Sequence, residues 1–366
     1  MPASGLFTAV GLMSGTSQDG VDAALVTTDG RFKVNCGPAL TVPYAEPLRA
    51  RLRSILGCAP GERESEVNEV AAEITRVHAE AVRRLLRESV TPARAVDVIG
   101  FHGHTILHRP HQGLTVQIGD GAMLAALTGI DVVDDFRSRD IAEGGEGAPL
   151  VPLFHVALSE KLERPLAILN LGGVANVTWI GAAADPIAFD TGPGNALLDD
   201  WVLQHTGRAF DAEGALAASG RADLRVLARL LVHPYFDHRP PKSLDRGDFG
   251  LDELAGLSAA DGAATLTAFT AEAVARAFEH FPEAPQRVLV SGGGRRNRAL
   301  MAALGRTLPC PVMAVEEVGW NGDALEAQAF GYLAVRSLLD LPLSLPSTTG
   351  ARRAVPGGRL HRIRVA

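Results

Sequence analysis

Apolar residues recur along this chain in two periods, and segments of the two kinds alternate from end to end. Short runs at Leu6–Val10, Val21–Val26, Val96–Phe101, Ile130–Val133, Leu166–Leu169, Val177–Ile180, Ile187–Phe189, Arg287–Val290 and Val312–Val315 have the length and branched content of strands. Between them lie segments with helical spacing. In Glu62–Val90, the residues Val67, Val70, Ala71, Ile74, Val77, Ala81 and Leu85 fall on one face. Asp261–Phe281 and Asp323–Leu339 are two further helices. Such alternation predicts an α/β fold. Both halves open alike, with strand, glycine turn and strand: first across Gly11–Asp22, then across Asn170–Asn176. The echo hints at two related α/β domains. Glu143–Pro149, with three glycines, reads as a flexible stretch and sets the boundary near it. The expected domains are 1–140 and 141–366, with the final helix and tail free to pack back on the first.

Composition narrows the class. A chain of 366 residues has room for two domains, and 46% hydrophobic with 21% charged residues is a globular balance. A net charge of −7 gives no reason to expect a nucleic-acid partner. Cys36, Cys58 and Cys310 are odd in number and far apart, which predicts reduced thiols and no disulfide framework or zinc site. No apolar run approaches the roughly 20 residues of a membrane span. No signal-like segment precedes Leu6. The expectation is a soluble cytoplasmic protein with no membrane partner. The stretch from Gly350 to Ala366, with five arginines and no acidic residue, reads as a surface tail packed by a short strand.

The candidate chemistry sits in the polar stretches at strand ends, where α/β proteins bind ligands. Gly11–Asp22 holds Gly15, Gly20, the hydroxyls of Ser14, Thr16 and Ser17, and the carboxylates of Asp19 and Asp22. A glycine turn lets backbone N–H groups converge on phosphate, and a carboxylate holds Mg²⁺ directly or through water. The same residues also make an ordinary polar hairpin. Asp190-Thr-Gly-Pro-Gly-Asn195 places a carboxylate at a strand end before a helix: a general base, or an Asp that caps the turn. Ser291-Gly-Gly-Gly-Arg-Arg-Asn297 suits close approach of a base or phosphate, with Asn297 or the arginines as ligand contacts, or is simply a flexible loop. His102, His104 and His108 have metal-like spacing, but Gly103 suggests a turn, and a polar wall for a sugar or phosphate is the preferred reading. Asp134, Arg137 and Arg139 form a carboxylate-binding fork or a surface ion-pair cluster. There is no G-x-x-x-x-G-K-[ST] motif, so a P-loop enzyme is excluded.

These stretches, in this order, resemble the anhydro-N-acetylmuramic acid kinases of the sugar-kinase/Hsp70/actin superfamily. The likeness runs through Gly11–Asp22, His102-Gly103 with Thr105-Ile106 and His108, Val116–Gly119, Asp131–Asp140, Gly147–Pro152, Asn170–Gly173 with Asn176-Val177, Phe189–Asn195, Pro241–Ser243, Ser291–Asn297 and Glu326. One departure is His104, where the family usually has Gln. The resemblance implies two actin-like (ribonuclease-H-like) α/β domains with an active-site cleft between them. It implies a kinase of peptidoglycan recycling that uses ATP and Mg²⁺. Such an enzyme opens the anhydro bridge of 1,6-anhydro-N-acetylmuramic acid with water and phosphorylates O6. Asp190 becomes the catalytic base. ATP is assigned to Gly15, Thr16, Ser17, Gln18, Asp19, Gly20, Val21, Asp22, Gly172, Gly173, Gly292, Gly293, Gly294 and Asn297. Mg²⁺ is assigned to Asp19 or Asp22 through water. The amino sugar is assigned to Ser14, His102, Gln117, Asp134, Arg137, Asn195 and Glu326, with Arg137 taking the lactyl carboxylate and Glu326 the hydroxyls. A homodimer is the expected assembly. The alternatives are a kinase of another amino sugar, a non-catalytic actin-like ATP-binding module, or a metal-dependent hydrolase built on the histidines.

Overall fold

A computed structural model describes residues 5–15, 18–245 and 247–363. They fall into two compact units, Met1–Lys161 with Ala324–Ala366, and Leu162–Asp323.

The first unit is built on one sheet. Its strands are β1 (Phe7–Ser14), β2 (Gly20–Thr28), β3 (Val34–Pro43), β4 (Val98–Arg109), β5 (Leu114–Ile118) and β6 (Val132–Asp134). The sheet of the second unit contains β7 (Leu166–Leu171), β8 (Val174–Ile180), β9 (Ile187–Pro193), β10 (Val288–Ser291) and β11 (Val312–Ala314). A last strand, β12 (Arg359–His361), returns to the first sheet and pairs antiparallel with β6. The first order is β12-β6-β4-β1-β2-β3, with β5 on the far half of β4, and the second is β11-β10-β7-β8-β9. In each, three strands form an antiparallel meander, and the first of them pairs in parallel with the strand that follows. With β5 and β12 set aside as additions to the first sheet and the rest renumbered within each unit, both read 3-2-1-4-5, the ribonuclease-H-like order of the actin fold. The echo of strand, glycine turn and strand therefore marks two copies of one topology.

Alternation along β1 decides how the first sheet is covered. Val10 and Leu12 point into a core shared with Val70, Ile74, Ala81, Val82 and Leu85 of the helix Glu64–Glu88. Burying side chains of this size contributes about 1.5–3 kcal/mol each. The opposite face is lined by glycine. A Cβ on Gly11 would lie 1.7 Å from the Ala327 carbonyl oxygen, and one on Gly100 would lie 2.0 Å from that of Phe330. The helix Leu325–Leu338 thus lies directly on the backbones of β1 and β4. Gly11 is an interior strand residue, and the turn begins only after Ser14.

Glu143–Pro149 is tied down, contrary to its flexible reading. The buried Asp140 carboxylate accepts from Gly147 N (2.7 Å), Thr349 Oγ1 (2.7 Å) and Ser344 Oγ. Glu146 N donates to Thr349 O at 2.7 Å and Arg352 N to Glu143 O at 3.1 Å. The basic tail is held as a strand, as expected: Arg359 and His361 both contact Asp134, and Arg353 pairs with Glu143.

Candidate active site

The β1–β2 turn is anchored from outside. Thr16 and Ser17 lie beyond the described residues. Gln18 is buried with φ of 56° and donates its N–H to Gly15 O at 3.1 Å. Its own carbonyl accepts from Arg49 Nε at 2.9 Å, and Asp19 O accepts from Tyr44 N at 3.0 Å. Gly20 is required by close approach, since a Cβ there would lie 2.4 Å from Val42 O. The Val21 side chain belongs to the core. Asp19 is exposed, and Asp22 accepts from Thr41 Oγ1 at 2.5 Å.

The histidine stretch is one continuous strand with a bulge in it. Leu12 pairs with Phe101 and Ser14 with His104, so Met13 faces two residues, His102 and Gly103. Gly103 has φ of 70°, which glycine adopts without strain. In a regular strand His102 and His104 would share a face. The extra residue parts them. His102 turns toward the final helix, its ring 4.5 Å from that of Phe330. His104 joins Ser14 on the face of the helix Glu64–Glu88, with its Nδ1 2.9 Å from Ser14 Oγ. This geometry gives the metal reading no support, and among the described residues no group of three His, Cys, Asp or Glu is placed to hold an ion.

Several of these polar groups are bonded to named protein neighbours, while His104 Nε2 is buried without a hydrogen-bond partner among the described residues. Tyr44 Oη donates to Ser14 Oγ at 2.9 Å. The Tyr44 hydroxyl is pushed up first by burial and further by Asp19 and Asp22, with the Ser14 bond opposing, so it remains a donor. His102 Nε2 accepts from Arg137 Nε (3.2 Å) and Nη2 (2.9 Å), while Arg137 Nη1 donates to Gly147 O at 2.6 Å. Gln117 Nε2 donates to Thr105 and Thr115 hydroxyls at 3.1 and 2.7 Å. The Asp134 carboxylate lies 3.1 Å from Arg359 Nε and 2.9 Å from His361 Nε2. Glu326, in the first turn of the final helix, is exposed, yet its carboxyl is raised. Lost hydration is the main cause and the Asp22 carboxylate the second, with Arg137 opposing. Accessible surface and lost hydration coexist where protein crowds a side chain without covering it. Asp22, Arg137 and Glu326 therefore form one electrostatic group.

In the second unit three loops meet. The Gly172–Gly173 turn accepts from the Asp190 loop: Asn195 N donates to Gly172 O at 2.8 Å and Gly194 N to Gly173 O at 3.0 Å. Asn195 Nδ2 donates to Leu171 O at 2.8 Å. The triglycine turn packs on the same hairpin. A Cβ on Gly292 would lie 2.3 Å from Asn170 Oδ1, and one on Gly294 would lie 2.6 Å from Leu171 Cβ. These two glycines are accounted for by protein neighbours, whereas a Cβ on Gly293 meets nothing within 4 Å. Asn297 caps the next helix, its Oδ1 accepting from Leu300 N at 3.0 Å.

Asp190 stands on β9 opposite Asn176. Its Oδ2 accepts from Leu244 N at 2.8 Å, its N–H donates to Lys242 O at 3.0 Å, and its carbonyl accepts from Tyr235 Oη at 2.5 Å. Backbone and side chain are thus both fixed. Lys242 lies with Nζ 4.5 Å from the Tyr235 ring centroid, and burial pushes its ammonium down to about 8, with Asp237 opposing.

Sequence reasoning missed three groups: Tyr44, Tyr235 and the clamp at Arg295. Tyr44 lies between Pro43 and Pro47, which read only as a break in the pattern. The Arg295 side chain is only 6% exposed, with Nε 2.8 Å from Glu316, Nη2 2.9 Å from Asp323 and Nη1 donating to Gly292 O at 2.9 Å. Its place beside three glycines suggested a ligand contact, but these partners hold the turn itself.

A family model described as anhydro-N-acetylmuramic acid kinase matches residues 7–362. The chain is similar to the anhydro-N-acetylmuramic acid kinase of Rhodospirillum rubrum, 58% identical over 358 residues covering 97% of this chain and 94% of that one. It is similar also to that of Paramagnetospirillum magneticum, 56% identical over 96% of this chain and 99% of the other. A solved structure aligned with it is the Acidaminococcus fermentans (R)-2-hydroxyglutaryl-CoA dehydratase component A, at 11% identity, 90% and 99% coverage and a TM-score of 0.48. The paired glycine-turn sheets, the Asp190 loop and the triglycine turn all fall inside a match that runs nearly end to end, and the chain belongs to the anhydro-N-acetylmuramic acid kinase family.

Proposed function

We propose that this chain uses ATP and water to convert 1,6-anhydro-N-acetylmuramic acid into N-acetylmuramate 6-phosphate, a step in peptidoglycan recycling. The observation that carries the reading is Asp190, a strand-end carboxylate oriented by the Leu244 N–H within a family match of near-full length. A carboxylate so held can take the proton of a water attacking the anomeric carbon, a role worth about 10²–10⁴-fold in rate. As the bond from the anomeric carbon to O6 breaks, O6 gains charge and attacks the γ-phosphorus, with ADP as leaving group. Phosphoryl transfer asks mainly for positioning and for neutralised charge.

In this reading Gly15, Gln18, Asp19, Gly20, Val21 and Asp22, with Thr16 and Ser17, hold the phosphates, largely through backbone N–H groups. Gly172, Gly173 and Gly292–Gly294 border the adenosine, and the open side of Gly293 suits close approach. Asn297 acts there through its helix cap. The donor set fits Mg²⁺ held through water by Asp19 or Asp22: Asp19 is an exposed carboxylate, and Asp22 stands near it in sequence with Thr41 Oγ1 on one oxygen. When bound, the ion would neutralise phosphate charge. Ser14, Gln117 and Asn195 are read as sugar contacts, Glu326 as the hydroxyl partner, and Arg137, with Asp134 near it in sequence, as the partner of the lactyl carboxylate. A cytoplasmic homodimer completes the reading, and sedimentation analysis tests the dimer. No helix among the described residues is long and apolar enough to cross a membrane.

The test is ADP release with 1,6-anhydro-N-acetylmuramic acid, against N-acetylglucosamine and against no sugar. Sugar-dependent release only with the anhydro substrate supports the proposal. Asp190→Asn should bind ATP and sugar but lose turnover by about 10²–10⁴-fold; near-wild-type turnover would remove Asp190 as the base.

A further inference from the structure

We infer that His102 is a positioning residue that holds the Arg137 guanidinium in place to read the carboxylate of the substrate, and is not itself a sugar contact. The inference rests on the assignment of Arg137 to that carboxylate. It follows from which atoms can donate. His102 Nδ1 lies 3.0 Å from the Gly103 carbonyl oxygen, which can only accept, so the ring proton is on Nδ1. Nε2 then carries a lone pair, and Arg137 Nε and Nη2 both point at it, at 3.2 and 2.9 Å. Both ring nitrogens are therefore engaged by protein, and the ring is buried with one face against Phe330. A sugar hydroxyl has no ring nitrogen left to bond.

The bulge makes the arrangement possible. Gly103 supplies the left-handed backbone that puts an additional residue opposite Met13, and its carbonyl fixes the tautomer. A Cβ at Gly103 would lie 2.4 Å from Ile118 O, so the device needs glycine there. On the other side of the guanidinium, Arg137 Nη1 donates to Gly147 O at 2.6 Å, and Gly147 is itself held by Asp140. Arg137 is thus gripped from two sides while its side chain remains partly exposed. An arginine fixed in this way meets a planar carboxylate with little ordering left to do.

The experiment compares dissociation constants for 1,6-anhydro-N-acetylmuramic acid and for 1,6-anhydro-N-acetylglucosamine, which lacks the lactyl group. It uses the full-length wild type, Arg137→Ala, His102→Leu and His102→Gln. The ratio of the two constants reads recognition of the carboxylate alone, and a general structural lesion moves both constants together. Arg137→Ala and His102→Leu are each expected to cut the ratio by about 10–100-fold, the usual worth of a hydrogen bond to a charged group. His102→Gln, which keeps an acceptor for the guanidinium, is expected to restore most of it. An unchanged ratio in His102→Leu, with the ratio lost in Arg137→Ala, overturns the positioning role and leaves the carboxylate assignment standing. An unchanged ratio in Arg137→Ala overturns the assignment itself, and the inference with it. Should His102→Leu not fold, the wild type still decides. The Arg137 Nε–H resonance, identified by its loss in Arg137→Lys, is expected to exchange with water at least 10-fold more slowly than that of free arginine. Free-arginine exchange would refute the bond.

Discussion

Lowering the pH from 7.0 to 5.5 should unfold the first unit far more readily than the second. Four imidazoles in the first unit, those of His78, His102, His104 and His155, are buried. Burial pushes His78 and His104 down to about 4 and His155 to about 3, and holds His102 well below its ordinary value with Arg137 adding to the effect. The folded value lies below the unfolded 6.5, so these groups cost nothing above that pH. Below it the unfolded chain takes up protons that the folded chain refuses, and stability falls until the folded values are reached. At pH 5.5 an unfolded imidazole gains RT ln(1 + 10), or about 1.4 kcal/mol. About 0.2 kcal/mol of that is already present at pH 7.0, so between the two pH values the four together lose about 5 kcal/mol, comparable to an entire domain stability of about 5–15 kcal/mol. The tryptophans, Trp179, Trp201 and Trp320, all lie in the second unit, so their fluorescence in urea follows that unit alone. Hydrogen exchange of the peptide 64–88, corrected for intrinsic rates, follows the first. Glu326, whose carboxyl is raised, acts in the opposite sense, and comparison with His78→Leu cancels it. That variant should lose about 1.2 kcal/mol less than wild type between the two pH values. Parallel curves for variant and wild type would refute the claim that His78 is held neutral in the core.

Three substitutions test the packing arguments. Gly100→Ala forces a methyl against the Phe330 carbonyl and should cost about 3 kcal/mol or more, read as lost exchange protection in peptide 64–88. Asp140→Asn turns an acceptor against the donors Gly147 N, Ser344 and Thr349; proteolysis within 143–149 should accelerate, and stability should fall by about 2 kcal/mol. Arg295→Met leaves Glu316 and Asp323 without their cation and should lower the tryptophan-monitored urea stability of the second unit by about 2 kcal/mol, so an unchanged midpoint would dismiss the clamp.

Local patterns were readable and long-range contacts were not. The two meanders announced themselves through runs of strand length broken by glycine turns, since alternation and turn chemistry are local properties. The helix Glu64–Glu88 differs by only two residues at each end from its reading of 62–90. By contrast, Gly103 looked like a turn and proved to be a bulge, because the register of β4 is set by β1, about 90 residues earlier. The triglycine suggested a ligand, yet Gly292 and Gly294 answer to a hairpin far back in the chain. Glu143–Pro149 looked mobile because nothing nearby shows that Asp140, Ser344 and Thr349 converge on it.

The helix Leu325–Leu338 has a consequence for the order in which this protein can be made. Gly11 and Gly100 expose strand backbone that this helix covers, and it is synthesised more than 200 residues after either of them. The second unit is one unbroken segment and can complete itself during synthesis, whereas the first, begun earlier, must wait with a bare sheet face for the segment from Ala324 onward. A nascent chain stalled before Ala324 would hold a finished second half and an unfinished first, an exposed surface for chaperones to guard.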